Sequence, residues 1–196
     1  MTESLNISSM SPAATPYYRL ITEGKNPRGI PGAKFIDNVE TFLQNETIES
    51  ALGALNELYS KYKYMEGSFE KTKNVYKGKI PELEQTLELI KLMKSKEEDG
   101  EEMYTHYSLC DTIYAKAKLD LQADRVALYV GAKSFLEYSF SEAIDLLKEQ
   151  LEQSALKLSE LNEDLAFLRT SSITVEVNMA RLFNHSVKLN KLKEGK

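Results

Sequence analysis

The chain has 196 residues and a formal charge of −5, with 42% apolar and 28% charged residues. A sequence rich in Leu, Glu and Lys is typical of long helices that bury a seam rather than a compact core. The mild negative charge gives no electrostatic reason to expect nucleic acid or membrane partners, although the last sixteen residues are locally basic.

Features of secreted and membrane proteins are missing from the sequence. Cys110 is its one cysteine, which excludes an intrachain disulfide. The first residues lack the apolar core of a signal peptide, and no apolar run approaches the roughly eighteen residues of a spanning helix. We therefore expect a soluble intracellular protein.

Residues 1–34 are predicted to form a flexible N-terminal tail. They begin with a stretch rich in Ser, Thr, Pro and Ala, and Asn26–Gly32 then contains two prolines and two glycines, which exclude a helix. A short amphipathic segment follows over residues 35–43 and needs a partner surface. One face of it carries Phe35, Val39, Phe42 and Leu43.

Two long helical patterns come next, one on each side of the middle of the chain. Between Ile48 and Lys94, positions at alternating spacings of four and three are apolar or aromatic in eleven of fourteen cases, as in a coiled-coil seam. The same holds between Ile144 and Leu189. We predict a first helix that ends near residue 95 with a kink at Pro81, a second over 141–190, and a tail over 191–196.

The segment over residues 104–138 interrupts this helical pattern. Tyr, Val, Ile and Phe alternate there with polar residues in four short runs joined in pairs by turns, which predicts two successive β-hairpins. The predicted fold is mainly α with a small β region. It consists of a long antiparallel coiled-coil helical hairpin whose helices are joined by the two β-hairpins.

The β-hairpins are predicted to assemble with other chains into an oligomeric β-barrel. Isolated hairpins are marginal in water, and four short strands leave edges with unpaired backbone groups that strands of other chains can close. The alternative is that the hairpins fold back onto the base of their own coiled coil. The predicted oligomer interface comprises Tyr107, Leu109, Ile113, Tyr114, Val126, Leu128, Val130, Gly131, Phe135 and Tyr138.

A second apolar surface is predicted where the first long helix begins and the second ends. It can hold hydrophobic segments of other proteins, or residues 35–43 can pack back and cover it, and partial cover that a ligand displaces is compatible with both. The predicted client-binding residues are Phe35, Val39, Phe42, Leu43, Leu58, Ile173, Val177, Met179, Leu182 and Phe183.

No catalytic, cofactor-binding or metal-binding residue is predicted. His106 and His185 are the only histidines, and neither has a second ligand residue at a recognised metal spacing. The phosphate-binding patterns GxxxxGK and GxGxxG do not occur. We expect a protein that uses no cofactor and is not an enzyme.

Six segments in this order closely resemble the prefoldin family, and within it the α-type subunits of the eukaryotic complex. The resemblance covers about residues 26–190. Its segments are Asn26–Pro31 (NPRGIP), Ser60–Glu66 (SKYKYME), Ile80–Ile90 (IPELEQTLELI), Asp111–Ala117 (DTIYAKA), Gly131–Tyr138 (GAKSFLEY) and Glu176–Asn184 (EVNMARLFN).

The resemblance implies one subunit of a heterohexamer of two α-type and four β-type prefoldin subunits, whose β-hairpins form a body that carries six coiled coils. Members of the family hold unfolded clients, notably actin and tubulin chains, and pass them to the cytosolic chaperonin without ATP. It also implies a cytoplasmic protein, with the nucleus as a further compartment. The main alternative is a structural coiled-coil scaffold or tether that docks one dedicated folded partner.

Overall fold

The computed structural model describes residues 19–45, 47–122 and 124–194. Two short strands, β1 (Ile21–Lys25) and β2 (Pro31–Ala33), are followed by a one-turn helix, α1 (Val39–Phe42), and a 3-10 turn over Leu43–Asn45. The long helices are α2 (Ile48–Glu98) and α3 (Phe140–Glu194). The strands between them are β3 (Met103–Cys110), β4 (Ile113–Leu119), β5 (Val126–Gly131) and β6 (Ser134–Tyr138).

Both long helices begin at polar caps that satisfy free backbone N–H groups. Thr47 Oγ1 accepts from the backbone N–H of Ser50 at 3.3 Å at the start of α2. A capping box precedes α3: Glu142 accepts from the backbone N–H of Ser139 at 3.0 Å, and Ser139 Oγ accepts from the N–H of Glu142 at 3.3 Å. Helix α2 runs through Pro81, which is exposed and lacks one helix hydrogen bond.

The chain forms two compact units, and α2 packs against α3 in each. The first unit holds the described residues up to Thr72 and from Glu160 onward. Its core contains Leu55 and Tyr62 of α2 with Leu168, Val175 and Leu182 of α3. Within this unit the helices are antiparallel, since the earlier Tyr59 is hydrogen-bonded to Glu176 and the later Glu66 lies 3.5 Å from Arg169.

The second unit, Lys73–Ser159, contains the β-hairpins and the parts of α2 and α3 next to them. Its core consists of Leu83, Leu87, Ile90, Leu121, Phe140, Ala143 and Leu147. Many of the helix side chains in both cores, such as Leu55, Leu87 and Leu168, lie at the positions predicted for a seam.

The described strands form three separate two-stranded antiparallel sheets, β1 with β2, β3 with β4 and β5 with β6. In the second unit, Met103 pairs with Leu119 and Val126 with Tyr138, and both hairpins have a bulge next to the turn. The two β-hairpins predicted between the helices are therefore present.

The prediction of a flexible tail through residue 34 was wrong for residues 19–34. These residues form β1, β2 and the turn between them, and Leu20 and Ile30 are buried in the core of the first unit. Pro27 and Gly29 lie in the turn, where Gly29 has a φ of +84° that glycine adopts without strain. The part of the predicted tail before residue 19 lies outside the described residues.

Candidate functional site

Residues 19–38, which we call the strap, dock against three buried polar side chains of α3. Asp164, Ser171 and Asn178 follow one another at spacings of seven, so they lie on one face of the helix beside the seam. All three are at most 5% exposed. Buried polar groups need partners, and the strap and α2 supply them.

The first contact joins the turn of the strap to Asp164. Arg28 Nε lies 2.7 Å from both carboxylate oxygens of Asp164, and the side-chain amide of Asn26 donates to the same carboxylate. Arg28 also donates to Glu163 and to the backbone carbonyl of Glu160, both at 3.0 Å. A buried carboxylate is thus neutralised by a guanidinium and a second hydrogen bond.

The other two contacts hold the strap backbone. Asn178 accepts from the N–H of Ile36 at 3.0 Å and donates to the carbonyl of Lys34 at 2.8 Å. The Tyr62 hydroxyl donates to the carbonyl of Pro31 at 2.9 Å and is hydrogen-bonded to Ser171. Tyr62 is fully buried, and this burial raises its pKa to about 12. The hydroxyl therefore remains a donor at every physiological pH.

Small residues of α2 make room for the strap. Ala51 and Ala54 are 0% and 7% exposed, and with Leu58 they form a second buried face of α2 beside the seam. The strap places Leu20, Ile30 and Ile36 into the same core. Sequence reasoning missed this docking, although polar residues at a heptad spacing next to an apolar seam were a usable signal.

The structure divides the predicted client-binding residues into three groups. Leu58 and Leu182 are 4% and 0% exposed, so their assignment to a client surface was wrong: they are core residues of the first unit. Partly buried side chains packed against that core are Val39, Phe42, Leu43 and Met179. The exposed ones are Phe35, Ile173, Val177 and Phe183, at 42%, 59%, 41% and 59%.

Residues 35–43 therefore mostly cover this end of the coiled coil. Val39 to Leu43 pack onto the core, and Asn38 caps α1 by accepting from the N–H groups of Glu40 and Thr41. Phe35 precedes α1 and remains exposed under the Arg181 guanidinium, whose carbon lies 4.9 Å from its ring centre. We call the four exposed residues Phe35, Ile173, Val177 and Phe183 the tip surface.

Apolar side chains also cover the β-hairpins of the second unit. Tyr107, Leu109, Ile113, Tyr114, Val130 and Phe135 of the predicted interface are between 46% and 65% exposed. Tyr104, Tyr129 and Leu136, which were not predicted, are about as exposed, and the rings of Tyr129 and Phe135 lie 5.3 Å apart. We call these nine side chains the hub surface.

Three predicted interface residues instead face their own chain. Val126, Leu128 and Tyr138 are half-buried and pack against the core of the second unit, together with Met103 and Leu119. These contacts fasten the bases of the hairpins to the helices, and the assignment of the three residues to an oligomer interface stays a prediction. Only these bases of the hairpins fold back onto the helices. Leu89 and Leu92, which lie on α2 outside the seam, remain 48% exposed.

The turn of the second hairpin has an unusual backbone. Ala132 and Lys133 have φ values of +49° and +59°, and Gly131 before them has +102°. Two successive positive values are typical of a type I′ turn, which matches the twist of the flanking strands. The half-buried Gly131 lies at the bulge, so its place in the predicted interface reflects backbone conformation rather than side-chain contact.

Candidate metal ligands do not form a cluster in the part of the chain that the structure describes. The described residues contain no cluster of three or more His, Cys, Asp or Glu side chains that could hold a metal ion. Cys110 is exposed in the first hairpin. Within the described ranges, no helix combines the length and hydropathy needed to cross a membrane.

A seam of two long helices joined by two apolar β-hairpins defines a class of coiled-coil proteins. The family model described as "Prefoldin subunit" matches residues 62–185. The chain belongs to the prefoldin family, as the six sequence segments predicted, and this supports a role as a chaperone subunit.

The chain is similar to curated proteins that are named as one particular subunit of the family. Those named prefoldin subunit 3 in Homo sapiens and Mus musculus are 44% identical over 163 residues, which are 82% of this chain and 82% and 83% of theirs. Prefoldin subunit 3 of Saccharomyces cerevisiae is 41% identical over 172 residues, or 83% of this chain and 86% of that one.

Among solved structures, a chain of the filamentous prefoldin from Methanocaldococcus jannaschii matches with 18% identity and a TM-score of 0.41. The match covers 72% of this chain and 99% of that one.

Proposed function

We propose that the chain is one subunit of a heterohexameric, ATP-independent holdase made of α-type and β-type prefoldin subunits. The hub surface assembles the complex, and the tip surface binds unfolded proteins such as actin and tubulin chains. The clients then pass to the cytosolic chaperonin. The protein is not an enzyme and acts in the cytoplasm and also in the nucleus.

The observation that carries this proposal is the hub surface. Each described strand of β3–β6 pairs on one side only, so backbone N–H and C=O groups along the other edges lack strand partners. Side chains such as Leu109 and Phe135 are more than 60% exposed on the same hairpins. Burying one such side chain is worth about 1.5–3 kcal/mol, which favours association with further strands.

The tip surface suits weak and forgiving contacts. Its four apolar side chains are too few for a tight, specific interface. A disordered client can be held when several subunits each offer such a surface, because the linked contacts raise the effective concentration. Release then needs only competition at one subunit after another.

The experiment separates assembly from client binding by point variants of the complex co-expressed with its partner subunits. Leu109→Ser with Ile113→Ser, on the hub surface, should abolish the hexamer in native mass measurement. Ile173→Ser with Val177→Ser, on the tip surface, should keep the hexamer and lose part of the suppression of denatured actin aggregation. Leu156→Ser is the matched control, because Leu156 is 63% exposed and lies outside both surfaces.

Two outcomes would contradict the proposal. A hexamer that survives the hub variant while the tip variant dissociates would mean that the two surfaces are assigned the wrong way round. Tight stoichiometric binding of one folded protein, with no suppression of aggregation by wild-type complex, would instead favour the scaffold or tether.

A further inference from the structure

Basic and apolar side chains share one face of the last third of α3. Ile173, Val177, Arg181, Lys188 and Lys191 follow at spacings of four, four, seven and three, which place them on one side of a helix. Arg181 is half-buried and the others are exposed. We call these five residues the outer face of α3; its first part is apolar and its second part is cationic.

The strap extends the apolar part of this face. Arg181 donates to the carbonyl of Asp37 at 2.8 Å, and its guanidinium covers the ring of Phe35. Phe35 is thereby fixed beside the outer face while it remains 42% exposed. A ligand that lies along this face would contact Phe35, Ile173 and Val177 at one end and the lysines at the other.

The cations of the outer face have no carboxylate partner among the described residues. Arg181, Lys188 and Lys191 form none of the ion pairs found there, and neither do the strap carboxylates of Asp37 and Glu40. Favourable interaction with the helix dipole is confined to the last turn, so it explains Lys191 but not Arg181 or Lys188.

We propose that the outer face of α3 binds segments of unfolded proteins in which apolar side chains are followed by carboxylates. The inference rests on the proposed holdase function and specifies the chemistry of its clients. The apolar part contacts the hydrophobic residues of the segment, and Lys188 and Lys191 pair with its acidic residues. Two exposed ion pairs of ordinary strength correspond to about a twofold to thirtyfold gain in affinity.

The test uses the assembled complex with a photo-crosslinking amino acid in place of Asn184, which is exposed on the same face. Three fluorescent peptides of about 25 residues are compared, a length that spans the face from Ile173 to Lys191 even if the peptide is helical. They share their apolar residues and carry flanking Glu, Ser or Lys. We expect capture of the Glu peptide to exceed that of the Lys peptide severalfold. This preference should fall as salt rises, because exposed charges are screened.

Charge reversal identifies the residues responsible. Lys188→Glu with Lys191→Glu should reverse the order of capture. The matched control, Lys71→Glu with Lys77→Glu, makes the same change of charge at exposed positions of α2 and should leave the order intact. An order that neither pair changes, or that both change equally, would overturn the inference.

The same measurement distinguishes failure of this inference from failure of the holdase proposal. Equal capture of all three peptides, together with suppression of aggregation, would refute the acidic preference and leave the holdase function standing. No capture of any peptide and no suppression of aggregation by wild-type complex would refute both.

Discussion

Replacing Asn178 with Ala should release the strap from α3. Asn178 is 1% exposed, and its side chain is the hydrogen-bond partner of the Ile36 N–H and the Lys34 carbonyl. Ile36 is itself buried, and a buried donor left without a partner costs about 1–3 kcal/mol. The Lys34 carbonyl is only partly buried, so we expect a total loss of about 2–4 kcal/mol in strap docking.

Amide hydrogen exchange at Lys34 is the suitable measurement. The Lys34 N–H donates to the carbonyl of Leu20 at 2.7 Å inside the strap, so Asn178 does not protect it directly. An isolated two-stranded hairpin is marginal, so the strap hairpin should open once it leaves α3. A loss of about 2–4 kcal/mol corresponds to exchange faster by about 30-fold to 700-fold.

Two further variants make the result decisive. Asn184→Ala changes an exposed Asn of the same helix and should leave Lys34 exchange within about twofold of wild type. Asn178→Asp keeps an acceptor for the Ile36 N–H but places a buried carboxylate against the Lys34 carbonyl, so its effect should be at least as large as that of Asn178→Ala. If Asn178→Ala left Lys34 exchange within threefold of wild type, the reasoning that these two hydrogen bonds hold the strap would be refuted.

Three changes outside the strap test local backbone and charge effects by urea unfolding. The double substitution Ala132→Asn with Lys133→Gly should stabilise the second hairpin by about 1 kcal/mol, since Asn and Gly both tolerate the positive φ of a type I′ turn. Destabilisation would contradict that turn type. Glu142→Ala should lower the free energy of unfolding, because it removes the acceptor for the Ser139 N–H at the start of α3. Hydrogen bonding to the Ser139 N–H lowers the pKa of Glu142, so this difference should be full above about pH 4.3 and vanish as pH falls through the lower folded pKa. Gly67→Ala should stabilise α2 by about 1 kcal/mol, because a Cβ there meets open space; no gain would indicate a contact in the assembled complex.

The seam and the hairpins could be predicted because their signals repeat locally. A heptad pattern reports burial at every turn of a helix, and alternation reports a strand over five or six residues. The cores of both units accordingly contain predicted seam residues such as Leu87 and Leu168. Family membership followed from segments that no periodicity explains.

The strap could not be predicted in the same way, because its stabilising contacts are remote in sequence. Arg28 and Asp164 are 136 positions apart, and the Pro and Gly residues around Arg28 are typical of a loop. The sequence pattern alone places Leu58 on a client-binding surface, whereas the strap buries it. Surface and core at this end of the coiled coil are separated by tertiary contacts, not by local pattern.

The spacing of its two end contacts on α3 fixes the length of the strap between them. From Asp164 to Asn178 the helix rises about 21 Å, which the strap spans from Asn26 to Ile36 although that length of extended chain could reach about 33 Å. The turn at Gly29 takes up the excess. One residue inserted between Arg28 and Lys34 would thus move one end of the strap away from its polar partner on α3. The number of residues in this segment should therefore tolerate change less than their identity.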